Sequence, residues 1–167
     1  MNETTARKTA FVIFAVLTVL WAAFIFSRSA KNSEQSGSES QQFTETIVKI
    51  IAPNYEALSE EQKTAVVDSL DAVIRKLAHM FIYAVLAVLS SCALLARRHT
   101  EKPKNKLLQS LIFCILYAVT DEFHQLFVPG RAGMIRDVFI DSSGAIIGLL
   151  FVFTTYTAVL KCRKSEA

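Results

Sequence analysis

LLQSLIFCILYAVTDEFHQLFV, Leu107–Val128, is the stretch on which the fold turns. Its uncharged part, Leu107–Thr120, is 14 residues long, about 21 Å of helix against roughly 30 Å of bilayer hydrocarbon. Alone it falls short of a membrane span. Continued through Asp121, Glu122, His124 and Gln125 to Val128 it reaches spanning length, but then carries those polar groups into the membrane. Pro129-Gly130 supplies a stop just beyond.

On either side of this stretch the apolar residues gather in long runs, which is how segments dissolved in lipid are written. A hydrophobic content of 52% and a mean hydropathy of +0.36 are too high for an ordinary soluble domain of this length. Thr9–Phe26 is uncharged and follows Arg7 and Lys8. It reads as a span or as a long signal peptide; its 18 residues exceed the about 7–15 of a signal core and favour the span. Leu77–Ala96 is broken only by His79, Ser90 and Ser91, and Val138–Leu160 carries the single charge Asp141. The expected fold is therefore an all-α integral membrane protein, a single domain of four spans at about 9–26, 77–96, 107–128 and 138–160.

Charge sets the orientation. Arg97, Arg98, Lys102, Lys104 and Lys106 crowd the connection between the second and third spans, and both termini are basic. These sides are expected to be cytoplasmic, in a bacterial cytoplasmic membrane. The connection 27–76 holds 6 basic and 8 acidic residues and is expected outside. Lys31–Gln42, rich in Ser, Gln and Glu, reads there as a flexible linker. Phe43, Ile47, Ile50 and Ile51 then share a helical face that ends before Pro53. Ser59-Glu60-Glu61-Gln62 has the form of a capping box. It opens a stripe of Val66, Val67, Leu70, Val73, Ile74 and Leu77 that runs into the second span. Short amphipathic helices lying on the membrane surface or over the bundle are the expectation for this loop, and a plain solvated spacer is the alternative.

A net charge of +3 without an aromatic and basic stripe argues against a nucleic-acid partner. Cys92, Cys114 and Cys162 form no disulfide frame and no metal motif. No cofactor or metal is expected.

The unusual residues fall on one side of this topology. Lys76, His79 and Tyr83 share a face at the outer end of the second span, and Asp121, Glu122 and Gln125 share one at the outer end of the third. Asp137, Asp141, Gly144 and Gly148 form a stripe along the fourth, and Arg131 and Arg136 lie in the loop between. An ionised side chain facing lipid costs at least about 2.5–3.5 kcal/mol, so these groups are expected to face one another, with Lys76, Arg131 and Arg136 neutralising the four carboxylates. Two readings stay open for the cluster: ion pairs that hold the bundle together, or a site. As a site it would bind a membrane lipid or a lipid-linked anionic molecule. Alternatively it would cleave or transfer a lipid headgroup, with Glu122 or His79 as the catalytic base.

Three blocks carry a resemblance: Lys76-x-x-His79-x-x-x-Tyr83, Asp121-Glu122-x-x-Gln125-x-x-x-Pro129-Gly130-Arg131, and Asp137-x-x-x-Asp141-x-x-Gly144-x-x-x-Gly148. In order and spacing they resemble the VanZ-like family of bacterial membrane proteins. The resemblance implies a four-helix protein of the cell envelope. The family's founding member is associated with resistance to teicoplanin, a lipoglycopeptide antibiotic that acts at the outer face of the membrane. One position departs from the family pattern: Asp141 stands where Asn is usual, which adds a negative charge and makes pairing with Arg131 or Arg136 the expectation.

Overall fold

The computed structural model describes residues 2–97 and 101–165. Among these every regular element is helical: α1 (Glu3–Ser29), α2 (Ser33–Ile51), a single 3-10 turn at Tyr55–Ala57, α3 (Glu60–Ala96), α4 (Pro103–Gln125) and α5 (Ile135–Ser165). Four of them, α1, α3, α4 and α5, are long and apolar enough to cross a membrane. The protein is thus an all-α, multi-pass membrane protein. Its outer surface carries exposed Val16, Leu20, Phe81, Leu116, Phe139 and Leu150, as a surface solvated by lipid tails does.

The helix ends differ from the expected ones in physically readable ways. α4 stops at Gln125, not Val128, and the chain turns through Leu126–Gly130. It gains its length at the other end, where Pro103 occupies the first turn, a position whose missing N–H has no helical partner to lose. Asp121, Glu122 and Gln125 still lie in its last turn and a half. α3 is one unbroken helix of 37 residues. It starts from Ser59, whose hydroxyl accepts from the Gln62 N–H while the Gln62 side chain accepts from the Ser59 N–H, the reciprocal capping box.

The segment read as a flexible linker is a helix. Asn32 caps α2 by accepting from the Gln35 N–H. Glu39 pairs with Arg28 and Lys31, and Ser40 and Thr44 donate to Asp71 of α3 at 2.6 and 3.0 Å. Asp71 lies far along the chain from Ser40 and Thr44, so nothing local in a Ser- and Gln-rich stretch announces it. Thr44 and Val48 point inward, and Val48 packs with Tyr55 and Val67, whereas Phe43, Ile50 and Ile51 are exposed.

α3 is the hub, packed against α1, α2, α4 and α5. A Cβ on Gly144 would collide with the Met80 backbone carbonyl, and one on Gly148 with that of Ala84, so this small-xxx-small pair sets how closely α5 approaches α3. Trp21 Nε1 donates to the Ile82 carbonyl at 2.8 Å and the Tyr117 hydroxyl to the Ala22 carbonyl at 2.5 Å, which fixes α1 to α3 and α4. At the end of the bundle away from the polar cluster, the Arg97 carbonyl at the close of α3 accepts from Lys106 Nζ at 2.9 Å and Arg7 at 3.4 Å. That supplies partners for a helix terminus that has none of its own.

Candidate functional site

α1 and α4 end, and α5 and the spanning part of α3 begin, at the same end of the bundle. The polar residues singled out in the sequence therefore share one level. Lys76, His79, Glu122, Gln125, Arg131, Arg136, Asp137 and Asp141 line one cavity of about 360 Å³, within the size range of small-ligand sites. Asp121 lines a second cavity of about 310 Å³. Tyr83 lines neither: it is fully buried one turn deeper in α3, and its hydroxyl has no hydrogen-bond partner among the described residues.

At the floor of the first cavity lies Asp141, 1% exposed. Its Oδ1 is 3.6 Å from Nδ1 of His79, within ion-pair reach but beyond a hydrogen bond. The close α3–α5 packing at Gly144 and Gly148 brings the two together. Glu122 is held at both oxygens, accepting from Gln125 Nε2 at 3.1 Å and from the Met134 N–H at 2.9 Å. It therefore ties the end of α4 to the start of α5. Asp121 is buried, and neither of its carboxylate oxygens has a hydrogen-bond partner among the described residues.

Of the pairings expected from the sequence, only that of Arg136 with Asp137 forms among the described residues. Arg131 donates from Nη2 to Ser36 Oγ of α2 at 2.5 Å, and Arg136, two-thirds exposed, reaches only its neighbour Asp137 at 3.7 Å. Among the described residues, Asp121, Glu122 and Asp141 have no arginine or lysine partner, and His79, charged only when protonated, is the one basic side chain at ion-pair distance from Asp141. Distance along the bundle explains it. Arg131 lies in the loop before α5 and Arg136 in the first turn of α5, while Asp141 sits one helical turn further along. Burial among apolar neighbours draws the Arg131 guanidinium below its ordinary, very high pKa while leaving it charged.

Several lining residues carry no sequence signal of their own. Ser33 and Ser36 come from the stretch read as a linker, and Arg75 pairs with Asp71 at the α2–α3 contact. Ser33 also meets the Pro129-Gly130 turn: its N–H donates to the Pro129 carbonyl at 3.3 Å. Gly130, at φ 75°, is the one residue there in the left-handed region. His124 lies off the site, its ring 4.6 Å from that of Phe26. No group of three His, Cys, Asp or Glu side chains among the described residues is placed to hold a metal ion.

The family model described as VanZ/LLP1 matches residues 14–157, from within α1 to near the end of α5. The chain belongs to the VanZ/LLP1 family. No curated protein and no solved structure matches it. The matched span of the VanZ/LLP1 model takes in every residue that lines the two cavities.

Proposed function

We propose that this end of the bundle is the extracytoplasmic side, and that its polar cavity binds the anionic headgroup of a membrane lipid or lipid-linked envelope molecule. Charge supports the orientation, because Lys102, Lys104, Lys106 and the basic C-terminal tail lie at the opposite end. The observation that carries the binding reading is the set of Lys76, Arg131 and Arg136 on one cavity, with neither Arg131 nor Arg136 spent on the buried acids. A cation at headgroup depth without a buried counter-ion is available to phosphate or carboxylate, and a guanidinium takes either in bidentate fashion. Glu122 and Gln125 brace the loop that presents the arginines. In a cell the expected consequence is altered susceptibility to glycopeptide and lipoglycopeptide antibiotics. The lipids that co-purify with the wild type and with Arg131→Ala test the reading. Wild type should be enriched in anionic lipid over the bulk membrane, and the variant should lose that enrichment. Equal lipid profiles at equal stability contradict it and leave the cluster with a purely architectural role.

One observation favours a second reading, headgroup hydrolysis. His79 is backed at Nδ1 by buried Asp141 and lines both cavities, whereas both Glu122 oxygens are engaged. His79 Nε2 would take a proton from a water whose oxygen attacks the headgroup phosphorus. The leaving oxygen would then receive a proton from the imidazolium, with arginine holding the phosphate charge. Absence of turnover by pure wild type on a panel of phospholipids and undecaprenyl phosphates removes this reading.

A further inference from the structure

The second cavity is walled differently from the first. Phe24 and Ile25 of α1, Phe43 of α2, and Ala78 and Ile82 of α3 give it an apolar wall, and Arg28, Ser29, Glu39, Ser40 and Asp121 join that wall in the lining. It is not a separate chamber: Ser36, Arg75, His79 and Arg131 line both. A basic compartment and an apolar one therefore meet at Arg131 and His79. Four of the apolar lining residues, Phe24, Ile25, Ala78 and Ile82, belong to helices long and apolar enough to span.

We propose that the apolar cavity is a subsite for the first part of the hydrocarbon chain of an anionic lipid whose headgroup lies in the basic cavity. This rests on the headgroup reading above and adds to it the bound pose. The chain bends inward beneath α2, between α1 and α3, instead of remaining among the bulk lipid tails. Continuity of the walls argues for this occupant, since anything seated against Arg131 from the basic side has the apolar cavity as its immediate continuation. Chemistry argues for it as well. Phe24, Ile25, Phe43, Ala78 and Ile82 give hydrocarbon an apolar wall within a lining that is otherwise polar, and a free phosphate or a soluble headgroup would leave that wall uncovered. α2 is the roof. It is fastened by Ser36 to Arg131 and by Ser40 and Thr44 to Asp71, polar contacts that seal the subsite on the side facing away from the bundle.

The test uses the full chain in nanodiscs of phosphatidylcholine and two probes, phosphatidylglycerol and water-soluble glycerol phosphate. Ala78→Phe fills the apolar cavity and leaves the cations in place. The expected result is a loss of tenfold or more in phosphatidylglycerol affinity, with glycerol phosphate binding unchanged. Equal phosphatidylglycerol affinity for Ala78→Phe and wild type, with Arg131→Ala still weakening it, overturns the chain subsite and leaves the headgroup reading intact. If Arg131→Ala also binds both probes like wild type, the headgroup reading fails with it. Should Ala78→Phe fail to fold, wild type answers by photo-crosslinking with phosphatidylglycerol bearing a diazirine in the upper part of one chain. Labels on Phe43, Ala78 or Ile82 are expected. Labels confined to lipid-facing residues such as Phe139 and Leu150 overturn the proposal.

Discussion

Nδ1 of His79 stands 3.6 Å from Oδ1 of Asp141, and Asp141 has no other ionic partner among the described residues. Two glycines one turn apart on α5 make this possible, since α3 and α5 meet backbone to backbone at Gly144 and Gly148.

Asp141→Asn should keep the fold and raise thermal stability in detergent. A carboxylate buried to 1% exposure pays desolvation that an amide of the same shape avoids. A fall in Tm of more than a few degrees would mean that the His79 pair stabilises the bundle more than burial of the charge costs. If His79 acts as a base, the same substitution lowers turnover without preventing lipid binding.

Gly144→Ala should be poorly tolerated. The added methyl meets the Met80 backbone carbonyl, which cannot move without shifting α3, and overpacking of this kind costs about 1–3 kcal/mol. Thermal unfolding in detergent reads the loss directly. A variant as stable as wild type would mean that α3 and α5 sit further apart.

Loosening the roof is the purpose of Asp71→Ala, which removes the acceptor for Ser40 and Thr44 and the partner of Arg75. Each buried group left unsatisfied costs about 1–3 kcal/mol. Hydrogen exchange should accelerate over α2 while α4 and α5 remain protected. Uniform acceleration across all helices would show that α2 is not a separable unit.

The four spans were legible because apolar runs of this length have one solution in a bilayer, and the start of α3 was legible because Ser59 and Gln62 cap it within one turn. The polar cluster was legible too, since α4 cannot reach across the membrane without Asp121, Glu122 and Gln125. What escaped depends on contacts distant in sequence. α2 is ordered by Asp71 and Arg131, which lie 27 or more residues away, and nothing in Lys31–Gln42 itself reports them. Charge balance alone pointed to arginine partners for Asp141. Packing at the glycines instead delivered His79.

Orientation has a built-in reporter. Cys162 is exposed on the C-terminal helix end, and exposed Ala132 lies in the loop at the opposite end. In intact cells, a membrane-impermeant maleimide should label Ala132→Cys immediately and Cys162 only after permeabilisation. The reverse pattern would turn the site toward the cytoplasm.

The most direct measurement is an experimental structure of the protein in nanodiscs containing phosphatidylglycerol. Headgroup density between Arg131, Arg136 and Lys76, with its phosphate in contact with the Arg131 guanidinium, is the predicted result. A well-resolved map in which lipid surrounds the outer faces of the helices and this cavity holds no lipid headgroup would contradict it.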